Sequence, residues 1–264
     1  MLTILKLGGA LLTDKSRPDS LRTDLLARVA REIRACMDAG LIDQLILVHG
    51  VGSYGHLPVL EYMLHRGLQS PDQLMPFSRT QSQVMQLRSA VTEALQKVEI
   101  PAVLMLPSSG VMASNFTVTQ HFFGPVAGFL RIGMVPVLGG DVPADDVVGF
   151  SIYGGDAISV DLARHFQADQ LLFATDVDGV FSADPRKDAS ARRIPQLSLS
   201  KMHDVALSER QWDVSGAMAG KLKAIAQISD LMAQGMTVRL FSMLEPGQLQ
   251  AVLSGTDVGT EIII

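Results

Sequence analysis

The chain has 264 residues, 47% of them hydrophobic and 19% charged, with a net charge of −5, enough to bury a core as one large domain or two intimate lobes. The single cysteine, Cys36, excludes an internal disulfide and a cysteine-rich zinc site, and the acidic balance argues against an overall nucleic-acid or acidic-membrane surface. Apolar runs are strand-sized, and Lys6, Lys15, Arg17 and Arg22 break up the N-terminal region, so neither a membrane span nor a signal peptide is expected and cytoplasmic residence follows by default.

In chain order, short apolar runs alternate with longer helical stretches, the pattern of an α/β protein with a largely parallel sheet. Strands are predicted at Leu2–Leu7, Gln44–Val48, Ala102–Leu106, Met134–Leu138, Gln170–Ala174 and Thr237–Phe241. Helices are predicted at Asp24–Ala39, Pro76–Lys97, Gly155–Phe166 and Ser215–Gln234, where apolar residues recur at three- and four-residue spacing. Asn115–Thr119 and Phe122–Phe129 read as a β-hairpin region over a ligand site, and Ala183–Arg193 as a polar surface loop. Cys36 is expected to pack within a helix.

Four strand ends carry polar, glycine-rich sequence, and ligands of open α/β sheets collect outside the carboxyl ends of strands. The first is Lys6-Leu7-Gly8-Gly9-Ala10, where an ammonium and a flexible turn can meet a phosphate, or where a strand lysine simply reaches solvent. The second is His49-Gly50-Val51-Gly52-Ser53-Tyr54-Gly55-His56, whose glycines permit close backbone approach to an anion and whose last histidine can contact a second one. Gly139-Gly140-Asp141-Val142 and Thr175-Asp176-Val177-Asp178-Gly179 complete the set.

Each motif also has a plainer reading. Gly50–Gly55 satisfies the dinucleotide G-x-G-x-x-G pattern, but it follows the second strand rather than the first, and the Walker lysine pattern is absent. Lys15 can solvate its loop, Asp176 and Asp178 can cap a turn through their own backbone, and His56 can stand just ahead of a helix whose first turn holds Pro58. The remaining histidines lack metal-ligand spacing, so no protein-held metal is expected.

These residues together resemble the amino acid kinase superfamily and, within it, the isopentenyl phosphate kinases. The resemblance runs from Lys6-Leu7-Gly8-Gly9 through Asp14-Lys15, the His49–His56 loop, Gly140-Asp141, Gly155-Asp156, Thr175-Asp176 and Asp213-Val214-Ser215-Gly216 with Lys221, to Gly259-Thr260-Glu261-Ile262. The family match rests mainly on the glycine loop that ends in His56, and fosfomycin kinases are similar over the same loop. The chain departs from the family pattern at Ala10 (usually serine), Val51 (glycine), Gly139 (histidine), Ala157 (acidic) and Ala217 (glycine).

The resemblance implies a three-layer αβα sandwich forming one domain over residues 1–264, with an acceptor-binding lobe (about 1–165) and a nucleotide-binding lobe (about 166–264). It implies ATP-dependent phosphorylation of isopentenyl phosphate, with phosphorylation of another small phosphate or phosphonate, or non-catalytic nucleotide binding, as alternatives. Lys6, Lys15, His56, Asp141 and Lys221 would be catalytic, with Asp141 orienting the lysines. Val51, Gly55, His56 and Gly155 would hold the acceptor; Lys6, Gly8, Gly9, Ala10, Gly52, Asp176, Ala217 and Lys221 would hold the nucleotide. Magnesium would arrive with ATP, and the assembly would be a homodimer. A helical wall of Met75, Phe77, Val84, Met85, Leu87 and Val91 would line an apolar tail channel, unless those residues are ordinary core.

Overall fold

A computed structural model describes residues 1–14, 17, 19–183, 185, 188–200 and 216–264, without the side chains of 216 and 217. Six strands, β1 (Leu2–Leu7), β2 (Gln44–His49), β3 (Ala102–Leu104), β6 (Val135–Gly139), β9 (Gln170–Thr175) and β11 (Thr237–Ser242), match the predicted apolar runs. With β10 (Gln196–Ser198) and β12 (Thr260–Ile263) they form one sheet in the order β10-β12-β11-β9-β1-β2-β6-β3. Every pairing is parallel except β11 with β12.

Strand alternation builds two cores. Leu2 and Ile4 of β1 join the core on one face, with residues of α5 (Gly124–Arg131), α6 (Gly155–Phe166), α7 (Gly216–Ala226) and α8 (Ser229–Ala233). Leu5 and Leu7 join the other, with residues of α1 (Gly9–Leu12), α2 (Thr23–Asp38), α4 (Leu74–Gln96) and α9 (Gln248–Leu253). The result is the expected three-layer αβα sandwich. Because side chains two residues apart share a face, Lys6 projects on the side of Ile4, toward α6.

The predicted hairpin is displaced. Strands β4 (Val111–Ser114) and β5 (Thr117–His121) pair around Asn115 and Phe116, whose φ values of 49° and 66° put the turn where a strand was expected to start. Phe122–Phe129 is not a strand: α5 begins at Gly124, with Pro125 in its first turn, where the missing N–H costs nothing, and with Val126 and Leu130 buried one turn apart. β4 and β5 continue into a second, small sheet with β7 (Ala144–Asp145) and β8 (Gly149–Phe150), in the order β5-β4-β7-β8. The single helix expected over Ser215–Gln234 is two, α7 and α8. Between them Gln227 and Ile228 donate to carbonyls three residues back, tightening the turn and redirecting the chain.

Among the described residues, no helix is long and apolar enough to cross a membrane.

Candidate active site

The four polar strand ends predicted from sequence follow β9, β1, β2 and β6, which are consecutive neighbours in the sheet. Their carboxyl ends therefore open on one edge, where a cavity of about 600 Å³ is lined by Lys6, Gly9, Val51, His56, Asp141 and Lys221 among others.

Two glycine loops meet there backbone to backbone. A Cβ on Gly9 would lie 2.4 Å from the Gly52 nitrogen, and one on Gly50 would lie 2.6 Å from the Gly9 nitrogen. Gly52 also has a φ of 50°, a left-handed conformation that glycine adopts without strain. It begins α3 (Gly52–Glu61), which starts earlier than the position of Pro58 suggested: Pro58 is inside the helix, and His56 is on its body, exposed and facing the cavity. The side chain of Val51 occupies the room left by two other glycines, since a Cβ on Gly55 or on Gly140 would each lie 2.6 Å from one of its methyls. The β-branched residue at this family glycine position is thus accommodated by Gly55 on one side and Gly140 on the other. Gly139 stands against the imidazole of His49, 2.2 Å from where its own Cβ would be.

Gly155 is the first residue of α6, and a Cβ there would lie 2.9 Å from the His49 carbonyl oxygen. This close approach brings the next residue, Asp156, to Lys6: its Oδ1 is 2.8 Å from Lys6 Nζ. Lys221, from α7, places its Nζ 3.0 Å from both Asp156 oxygens and 4.8 Å from the centre of the Phe173 ring. One carboxylate therefore holds two buried ammonium groups. Burial pushes the Asp156 carboxyl up, but Lys6 and Lys221 outweigh it and hold it below the ordinary carboxylate range. Lys221 moves the other way: burial first, then repulsion from Lys6, brings it down to about 7 despite Asp156.

Asp156, to which the sequence reading gave no role, is the acid that pairs with Lys6 and Lys221. Asp141, expected to orient the lysines, forms no ion pair with Lys6 or Lys221 and has other partners among the described residues. Its Oδ2 accepts from the Ser108 amide at 2.9 Å and its Oδ1 from the Val142 amide at 2.9 Å, and its charged neighbour is Arg88, whose Nη1 is 3.8 Å away. Both acidic residues follow a glycine at a strand or helix end, and only the tertiary arrangement tells them apart.

Gly8, Ala10, Gly55, Gly155 and Asp176 also line the cavity. The turn after β9 is closed by Thr175, whose Oγ1 donates to the Val177 carbonyl at 2.6 Å. Lys15 and the 213–215 turn lie outside the described residues, as does the side chain of Ala217, whose backbone is in the first turn of α7. Of the expected apolar wall, Val84 lines the cavity, whereas Leu87 and Val91 are core, Met75 is exposed and Met85 faces a separate surface groove. Phe77 packs on Phe150, with ring centres 4.6 Å apart, behind Val59 and Val142 of the cavity wall. The helix is amphipathic, so one face serves the core and only a narrow stripe reaches the site.

A family model described as the amino acid kinase family matches residues 1–242. The isopentenyl phosphate kinase of Methanothermobacter thermautotrophicus is 31% identical over 270 residues, which covers 99% of this chain and 98% of that one. The isopentenyl phosphate kinase of Methanocaldococcus jannaschii is 34% identical over 231 residues, covering 85% and 86%. An X-ray structure of isopentenyl phosphate kinase superimposes with a TM-score of 0.82 at 29% identity, over 99% of this chain and all of the other. The chain accordingly belongs to the amino acid kinase family and, within it, to the isopentenyl phosphate kinases.

Proposed function

We propose that this protein transfers the γ-phosphoryl group of ATP to isopentenyl phosphate, releasing ADP and isopentenyl diphosphate. The observation that carries the reading is the pairing of Lys6 and Lys221 through Asp156 at the rim shared by two glycine loops. An acceptor phosphate oxygen attacks the γ-phosphorus as the bond to the β–γ bridging oxygen breaks. The acceptor is already an anion, so no strong base is needed, and positioning with charge neutralisation does most of the work.

In this reading Lys6 bridges donor and acceptor phosphates, and Lys15 and Lys221 neutralise the donor. Gly8, Gly9, Ala10 and Gly52 present backbone to the nucleotide phosphates, with Asp176 and Ala217 toward the nucleoside. His56 donates to the acceptor phosphate, whose pocket includes Val51, Gly55 and Gly155. Acceptor contacts come chiefly from residues before about 165 and nucleoside contacts from those after, and a homodimer is the expected assembly. Among the described residues no three of His, Cys, Asp or Glu are grouped to hold a metal, and Asp156 is committed to two lysines. Magnesium arriving with ATP would be held mostly by phosphate oxygens and water and would supply charge shielding at the transferring group.

The test is ADP release with a panel of small phosphates and phosphonates. Turnover of isopentenyl or dimethylallyl phosphate is expected, and His56→Ala is expected to lower it about 100-fold, the scale for one donor to developing charge. Turnover of a phosphonate alone would replace the substrate, unchanged activity in His56→Ala would remove its role, and nucleotide binding without turnover would leave a storage protein.

A further inference from the structure

Among the described residues Arg88 is the largest fully buried side chain, with 0% exposure. It projects from the middle of α4, and its Nη2 donates to the carbonyls of Gly139 at 3.2 Å and Gly140 at 3.0 Å. Its Nη1 stands 3.8 Å from Asp141 Oδ2, close enough for charge pairing but too far for a hydrogen bond. Among the described residues, Nη1 and Nε have no hydrogen-bond partner. A buried guanidinium with unused donors is a poor stabilising element, because desolvation of the charge offsets what it gains. Both of its hydrogen bonds fall on one short segment, the last residue of β6 and the residue after it, where the chain turns into the cavity wall at Gly140 and Asp141.

That turn joins the two parts of the acceptor side. The Gly140 amide donates to the His49 carbonyl at 3.1 Å, tying the turn to the loop that carries Val51 and His56. Asp141 and Tyr153 exchange amide-to-carbonyl bonds of 3.0 and 2.9 Å, tying it to the segment that leads into Gly154 and Gly155. Arg88 meets the same turn through its carbonyls, from the core side. The neighbouring His49 is kept uncharged: burial first, and Arg88 next, push it down to about 3, and its Nδ1 is 3.1 Å from the Gly50 carbonyl oxygen. Arg88 is therefore the fixed charge behind this wall.

We propose that Arg88 is a positioning residue for the acceptor: it fixes the Gly139–Asp141 turn from inside the core and so sets the spacing between the His56 loop and Gly155. The proposal rests on the reading of this cavity as a phosphate-acceptor site. It is tested with Arg88→Met, which removes the charge, Arg88→Lys, which keeps the charge without the planar fork, and Thr92→Val as a control. Thr92 is buried in α4, and its hydroxyl donates to the Arg88 carbonyl at 2.9 Å without reaching the turn. The wild type is first assayed with the phosphate panel, and the best acceptor found there, whichever it is, is used throughout.

The expected result is an acceptor KM raised about 10- to 100-fold in Arg88→Met, the scale of a small misplacement of reacting groups, and partly recovered in Arg88→Lys. The ATP KM should stay within about twofold, and Thr92→Val should lower Tm with both KM values unchanged. An unchanged acceptor KM in either folded Arg88 variant, or an equal rise in both KM values, overturns the proposal and leaves the reading of the site intact. So does failure of both variants to fold, which would make Arg88 a determinant of the fold instead. No turnover of any panel member by folded wild type overturns both.

Discussion

Lys221 places its ammonium nitrogen 3.0 Å from both carboxylate oxygens of Asp156. The pairing holds a cation in a buried position where its pKa falls from an ordinary 10.5 to about 7. In the ligand-free protein at pH 8 most Lys221 is therefore neutral, and a bound triphosphate favours the charged form. ATP binding at pH 8 is expected to take up close to one proton, and at pH 6 almost none. Calorimetry in buffers of different ionisation enthalpy measures this directly, and Lys221→Arg should abolish the uptake. The stability sign is opposite to that of a lysine gaining a partner. Below about pH 7 folded and unfolded chains both carry the proton and the full cost of burying the charge is present; between about 7 and 10.5 only the unfolded chain holds it, so this cost fades as pH rises.

Asp156→Asn removes the one group that separates two lysine ammoniums, while leaving a side chain of the same size. With that carboxylate gone, burial and the neighbouring Lys6 drive Lys221 further toward its neutral form. We expect kcat to fall about 100-fold, the scale of lost positioning, and Tm to fall as well, because removing the shared carboxylate leaves two buried amines without their counter-ion. Equal kcat in variant and wild type would show that Asp156 does not organise the pair.

Val51 and Gly140 form a steric pair whose two halves are separately testable. Gly140→Ala puts a methyl 2.6 Å from a Val51 methyl, with the next neighbour, the Gly155 nitrogen, at 3.7 Å. Overpacking of this kind costs about 1–3 kcal/mol. Adding Val51→Ala removes the obstructing methyls, so the double variant should regain most of the loss. Additive thermal shifts in the cycle would contradict the contact.

Two helical glycines should respond in opposite directions to alanine. At Gly9 the new methyl meets the Gly52 backbone at 2.4 Å, so Gly9→Ala must displace the two glycine loops and, on the proposed function, is expected to lower both Tm and ATP affinity. At Gly128, inside α5, nothing lies within 4 Å of the new methyl, and Gly128→Ala should stabilise by about 1 kcal/mol through helix propensity. Denaturant titration of the two variants side by side checks both.

Sequence by itself determined the layer architecture, because apolar runs of strand length alternating with amphipathic helices have few other ways to bury their faces. It also identified Lys6, the His49–His56 loop, Gly140-Asp141 and Thr175-Asp176 as one set, since polar glycine-rich ends of parallel strands open on a common edge. Tertiary structure alone decided which acid serves which base. Asp141 and Asp156 each follow a glycine and are indistinguishable locally, yet β1 alternation turns Lys6 toward α6, while α4 brings Arg88 beneath Asp141. The same holds for Val51, whose fit depends on Gly140, a residue 89 positions away in sequence. Local pattern specifies which face a side chain takes; its partner depends on which elements the sheet order places side by side.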